Sequence, residues 1–149
     1  MNIAHLPVLL ALASVTAWAG SLAEAPSGLI GQFRSASKRV CFTDVRGGRP
    51  ACSRHADVMT IERTPFGGVR DVKITAEFTL PDAQVCTFEG MGFWNAHEHR
   101  LSATDLSTGC ELSLVPRGRE LRSMVVRPDQ CSSPCAGRSW LEGVVMRRR

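Results

Sequence analysis

From residue 72 to residue 80 apolar and polar side chains alternate without a break. Val72, Ile74, Ala76, Phe78 and Leu80 stand against Lys73, Thr75, Glu77 and Thr79. A strict period of two marks a β-strand with one buried face and one wet face. Less regular versions of the pattern recur over 29–34, 39–44, 58–63, 85–93, 99–105, 110–115, 121–127 and 140–146. Turn formers separate them: Arg46-Gly47-Gly48, Pro65-Phe66-Gly67-Gly68, Pro81-Asp82, Ser107-Thr108-Gly109, Pro116-Arg117-Gly118 and Ser132-Ser133-Pro134. Beyond the leader no sustained helical stripe appears, and only 134–139 suits a short helical turn. Strands recurring about every 10–15 residues with short links predict an antiparallel meander. Such a meander must dispose of its edges by closing into a barrel or folding into two packed sheets. The expected fold is therefore all-β, a small antiparallel barrel or sandwich of about eight strands, with an up-and-down barrel favoured. Gly90 and Gly92, two apart on one strand face, suit a bent strand or a close backbone approach.

The first nineteen residues differ from the rest. They contain no Asp, Glu, Lys or Arg, and an apolar run over 6–17 is broken only by Pro7, Ser14 and Thr16. Ala17-Trp18-Ala19 before Gly20 places small residues at the −3 and −1 positions of a signal-peptidase site. The run is shorter than the roughly 20 residues that span a bilayer. Residues 1–19 are thus expected to be a cleaved signal peptide, although the amino-terminal part lacks the usual Lys or Arg. Residues 20–149 are expected to form a single β-rich domain, periplasmic or secreted, without an integral membrane segment. All six cysteines, Cys41, Cys52, Cys86, Cys110, Cys131 and Cys135, lie after the leader. An even number behind an export signal, with no Cys-x-x-Cys pair, predicts structural disulfides. A hairpin turning at Arg46-Gly47 sets Cys41 opposite Cys52. For the other four, Cys86–Cys110 with local curling, Cys131–Cys135 and Cys110–Cys131 all remain open.

The formal net charge of +4 rests on 18 basic residues, of which only Lys38 and Lys73 are lysine. The arginine excess reads as coding bias rather than as a nucleic-acid footprint. The only basic run, Arg147-Arg148-Arg149, reads as a short solvated C-terminal tail. A positive field favours an anionic partner, whether an envelope protein or a glycan.

Catalytic patterns are missing. There is no Gly-x-Ser-x-Gly elbow, and Gly90-Met91-Gly92 lacks the third glycine and the following helix of a phosphate-binding loop. Neither an enzyme nor a cofactor is expected. The most unusual stretch is Phe93-Trp94-Asn95-Ala96-His97-Glu98-His99. On an extended strand His97 and His99 would point the same way and hold two positions on zinc or copper, with His55 or Glu98 as a third ligand. The plainer reading is a polar hairpin loop. Trp94 is either an exposed binding anchor or a cap on the core. Met59, Met91, Met124 and Met146 read as core filler.

Val85-Cys86-Thr87-Phe88-Glu89-Gly90, Gly109-Cys110-Glu111-Leu112, Cys131-x3-Cys135-Ala136-Gly137-Arg138 and Leu141-Glu142-Gly143-Val144-Val145 together resemble a pattern found in small exported bacterial proteins. More loosely, an exported, disulfide-stapled barrel of this size resembles the periplasmic inhibitors of lysozyme. The chain has no tyrosine, so the Lys-Tyr element of the vertebrate-type lysozyme inhibitors has no counterpart here. Its positive charge also fits poorly with a partner as basic as most lysozymes. A small barrel with three disulfides and no catalytic constellation is expected to be a non-catalytic envelope binding protein, an inhibitor or protective factor. Trp94, His97, Glu98 and His99 are the first candidate surface. The alternative is a small metal-binding protein or metalloenzyme built on His97 and His99.

Overall fold

A computed structural model describes residues 24–42, 48–65, 72–80, 83–105, 107–126 and 143–149. The expected leader, Cys131, Cys135 and the 134–139 turn lie outside the described residues. After a single 3₁₀ turn, Ser27–Leu29, the chain forms ten strands. These are β1 (Gly31–Ser35), β2 (Lys38–Phe42), β3 (Ala51–His55), β4 (Val58–Arg63), β5 (Val72–Thr79), β6 (Val85–Asn95), β7 (Arg100–Asp105), β8 (Glu111–Arg117), β9 (Glu120–Val126) and β10 (Val145–Arg148). Eight of them close an antiparallel barrel in the order β1-β10-β9-β8-β7-β6-β5-β4, and β2 and β3 form a separate hairpin. The expected all-β barrel is the observed one.

The alternation over 72–80 acts as the sequence predicts. Val72, Ile74, Ala76 and Phe78 point into the barrel, while Lys73, Thr75 and Glu77 face outward. β6 repeats the pattern with Cys86, Phe88, Gly90, Gly92 and Trp94 inside. Ile61, Ile74, Leu101 and Leu112 are fully buried, so the interior is packed with side chains rather than hollow. That matches the size of an eight-stranded barrel, whose interior is just wide enough for side chains to fill. Met59 and Met146 are core residues, whereas Met91 is half-buried and Met124 is exposed on the outer face of β9. The core role expected of all four methionines therefore holds for two.

The two glycines of β6 mark a close approach to β7. A Cβ on Gly92 would stand 2.5 Å from the carbonyl oxygen of Ser102 and 2.9 Å from Ala103 Cβ. A Cβ on Gly90 would meet the Phe88 ring at 2.7 Å and the Thr104 carbonyl oxygen at 2.8 Å. The missing side chains let β6 bend over its neighbour, as two glycines on one strand face suggested.

The hairpin is a detour between β1 and β4. β2 was expected from its pattern, but β3 was not, because it packs against no core and shows no alternation of burial. Cys41 lies directly opposite Cys52 in the ladder, and the two form the expected disulfide. Cys86 and Cys110, both buried, are also disulfide-bonded, and no described cysteine is free.

Asp57 fixes the hairpin to the barrel. Its carboxylate, 3% exposed as a residue, accepts from Lys38 Nζ at 2.7 and 3.0 Å, from Ser35 Oγ at 3.2 Å and from the Thr79 backbone N–H at 3.0 Å. The Asp57 N–H in turn donates to Ser35 Oγ at 2.9 Å. One carboxylate thus joins β1, β2 and the end of β5.

A second buried carboxylate organises the link between β7 and β8. Asp105 Oδ1 accepts from Ser107 N–H at 2.8 Å, Ser107 Oγ at 2.6 Å and Thr108 N–H at 3.1 Å, and Oδ2 accepts from Glu89 N–H at 3.3 Å. Burial acts to raise the Asp105 pKa, but the Ser107 side chain and the backbone donors of Ser107, Glu89 and Thr108 outweigh it. The net effect holds the carboxyl below its ordinary value.

Gly92→Ala forces a carbon against backbone and is expected to destabilise the fold by about 2–3 kcal/mol, read as a lower urea midpoint. Asp57→Ala strands a buried N–H and removes an ionic hub, for a loss of about 3 kcal/mol. Lys38→Met is expected to cost about 1–3 kcal/mol, because it leaves the Asp57 carboxylate, whose side chain is 4% exposed, without its cation. Because the Asp105 pKa is lower folded than unfolded, the unfolded chain binds more protons, and stability rises with pH across that interval. The contribution is complete above the ordinary value of 3.8 and is lost as pH falls through the depressed folded value. Asp105→Asn is expected to flatten this acid limb of a stability-against-pH curve measured by circular dichroism.

Candidate binding surface

Antiparallel topology sorts the loops onto two ends of the barrel. The 3₁₀ turn, the β6–β7 turn, the β8–β9 turn and the end of β10 share one rim. The Asp57 hub and the Asp105 turn share the other.

The expected 94–99 surface lies on the first rim and takes the form of the polar hairpin loop that was the plainer reading. β6 runs on to Asn95, and residues 96–99 make a tight turn into β7. Asn95 Oδ1 caps that turn by accepting from His97 N–H and Glu98 N–H, both at 3.1 Å. Short amide side chains favour this role because they reach their own backbone two residues on. His99 adopts φ 49°, in the left-handed region. The extended geometry that would aim His97 and His99 the same way is therefore absent. His55 sits on the separate hairpin with Nε2 2.6 Å from Ser53 Oγ, and Glu98 pairs with Arg100. Among the described residues no group of three His, Cys, Asp or Glu side chains is placed to hold a metal.

Trp94 is only 6% exposed and belongs to the core. It lies opposite Leu101, and the His99 ring meets it edge-on at 6.1 Å and 77°. It caps this end of the core, so its face is not offered to a partner. The accessible part of the expected surface is His97, Glu98 and His99.

A more prominent feature, which runs from this rim along the outer wall of the β1–β10 seam, went unread. The arginine run expected to be a solvated tail instead forms part of β10, the strand that closes the barrel. β10 pairs with β1 through Phe33↔Arg148, Arg34↔Arg147 and Ser35↔Met146, and with β9 through Val145↔Arg122, Met146↔Leu121 and Arg147↔Glu120. Two adjoining concavities flank this seam. One, of about 450 Å³, has Leu29, Phe33 and Leu121 among its lining, together with Arg119, Arg148 and Arg149. The other, of about 470 Å³, lies between Arg34 and Arg147 and shares Arg148 and Arg149. Arg147 is neutralised by Glu120, which it meets through Nε and a terminal nitrogen at 2.8 Å. The guanidinium groups of Arg34, Arg119, Arg148 and Arg149 have no carboxylate partner among the described residues. The sequence signal for this cluster was the arginine run itself. Its meaning depends on which strands β10 separates.

A third hollow, of about 330 Å³, lies on the outer face between Lys73, Glu89 and Met91. Lys73 and Glu89 in its walls pair with each other, Lys73 Nζ standing 2.6 Å from Glu89, and Asp105 also lines it. Other arginines, among them the opposed Arg39 and Arg54 of the hairpin, also lack a carboxylate partner among the described residues; those at the seam border the two concavities. Comparison with known protein families, with curated proteins and with solved structures returns no significant match to this chain.

Proposed function

We propose that the chain is an exported, non-catalytic binding protein of the cell envelope, acting on a protein or glycan partner of anionic character as an inhibitor or protective factor. The observation that carries this reading is the filled interior. The described inward side chains of the barrel strands pack together into one core, which leaves recognition to the outer surface. The rim of the 96–99 turn is rigid. A barrel leaves no free strand edge, and the 96–99 turn is capped by Asn95. Rigid presentation favours binding because little conformational entropy is lost on association. On this rim Arg119, Arg148 and Arg149, which have no carboxylate partner among the described residues, support an anionic partner. No helix of the described residues is long and apolar enough to cross a membrane. The metal-binding alternative gains no support from the turn geometry.

The test begins with expression of the full chain in a bacterial envelope. Export predicts a mature amino terminus at Gly20, read by mass spectrometry. The purified protein is then mixed with separated sacculi, outer-membrane and periplasmic fractions. Saturable association with one fraction, weakened as salt rises and without chemical change to that fraction, is the expected result. Retention of an uncleaved chain in the cytoplasm would overturn the export reading, and turnover of an envelope component would overturn the non-catalytic one.

A further inference from the structure

We infer that the β1–β10 seam is a binding site for a phosphoryl group, carried by a sugar or by a glycan- or lipid-linked headgroup. The inference rests on the proposed binding role and assigns the chemistry of its ligand. Its first basis is a local conflict in the fold. Arg34 and Arg147 are directly opposite on neighbouring strands, with their side chains on the outer face. Neighbouring strands are only about 4.8 Å apart, and like charges at opposed positions destabilise a sheet. The conflict falls on one of the shortest seams of the barrel, where β10 contributes three residue pairs to β1. Glu120 answers one of these charges by pairing with Arg147, and Arg34 is left without a partner among the described residues. Departures from local consistency of this kind concentrate at functional sites.

The second basis is shape. Arg148 and Arg149 stand between the two concavities, Arg34 borders one, and Arg119 borders the other. Each hollow falls in the size range of small-ligand sites, about 300–1,000 Å³. Arg119 is held by a two-residue hairpin turn whose first position, Gly118, takes φ 62°, the conformation glycine favours there. The backbone of the seam is tied down as well: Arg149 N–H donates to the Gln32 carbonyl at 3.0 Å. Beneath the Arg148 guanidinium lies Gly31, where a side-chain carbon would come within 3.5 Å of Arg148 Nε. The arginines therefore border two hollows beside a tied-down backbone, and the one that Arg119 borders has an apolar floor at Leu29, Phe33 and Leu121.

The third basis is chemistry. Guanidinium groups present planar pairs of N–H donors that match the oxygens of phosphate or carboxylate. Each hollow is bordered by three arginines without a carboxylate partner among the described residues, a charge poorly balanced by a single carboxylate. A phosphomonoester brings close to two negative charges and three acceptor oxygens near neutral pH, and so engages more of the cluster at once. The apolar floor suits the carbon face of the group that bears it.

The experiment uses the mature chain and isothermal titration calorimetry at low ionic strength, with glucose 6-phosphate, glucuronate and glucose as probes. Vesicles of phosphatidylglycerol and of phosphatidylcholine are tested alongside by sedimentation. Glucose 6-phosphate is expected to bind roughly tenfold more tightly than glucuronate, with no heat from glucose. Arg34→Gln and Arg119→Gln, each removing a donor from one hollow, are expected to weaken binding by roughly tenfold. Arg34→Gln is also expected to raise the melting temperature by roughly 1–3 °C, because it relieves the repulsion with Arg147. A gain in stability together with a loss of binding distinguishes a ligand contact from a structural one. Binding of phosphatidylglycerol vesicles alone, lost in the same variants, would assign the phosphoryl group to a lipid headgroup. Equal binding of glucuronate, binding unchanged in both variants, or no binding of any phosphoryl probe would overturn the inference. If association with an envelope fraction persisted in the last case, the binding role would stand and only its assigned chemistry would fail.

Discussion

Closure of the barrel by β10 is the constraint on which the rest of the structure depends. Only four residues, Val145–Arg148, separate β1 from β9. Without them both neighbours would present unpaired backbone donors and acceptors, the exposed edges that all-β proteins must avoid. Met146 provides the apolar part of the closure, since it is 1% exposed and packs among the core residues. Its two neighbours, Val145 and Arg147, face outward. A strand this short satisfies the alternation with one buried side chain, which frees its other positions to carry charge.

The opposite rim solves a different problem. There the chain leaves the barrel after β1, makes a hairpin that packs little surface, and returns as β4. A two-stranded hairpin is marginal in water on its own. The Cys41–Cys52 disulfide braces it across the ladder, and Asp57 anchors it to Ser35, Lys38 and Thr79. A buried carboxylate is tolerable here because each oxygen finds donors, so its desolvation is offset. Asp105 obeys the same rule at the β7–β8 link, where four donors converge on it. On this rim buried charge serves the architecture.

At the seam the relation between charge and fold reverses. The arginines stand where the barrel is held by the fewest cross-strand pairs, and two of them face each other across neighbouring strands. The surrounding frame can absorb that repulsion because the core beneath it is densely packed and well shielded. A rigid scaffold of this type can hold uncompensated charge in fixed positions, which a flexible tail with the same sequence could not. Preorganised charge of that sort is what a small oxyanion recognises.

Much of the fold was legible in the sequence. The alternation over 72–80 became β5, and the turn signals marked the ends of most barrel strands, because a half-buried strand writes its two faces directly into the chain. Cys41 and Cys52 were readable as a pair because a hairpin fixes its register locally. The paired glycines of β6 likewise pointed to a tight approach, although only the structure identified Ser102 and Thr104 as the backbone approached. β3 could not be read, because an exposed hairpin strand has no core to impose a period. The 94–99 segment was recognised as polar and unusual, but whether Trp94 faced partner or core depended on how far β6 extended. The arginine run was misread for a related reason. Sequence determines that 147–149 is charged, but only the tertiary structure decides that β10 lies between β1 and β9. That placement, set by the need to close the sheet, brings Arg34 and Arg119, distant in the chain, beside Arg147, Arg148 and Arg149. Local patterns specify faces and turns, whereas a site assembled across a closing seam exists only once nonlocal pairing has been made.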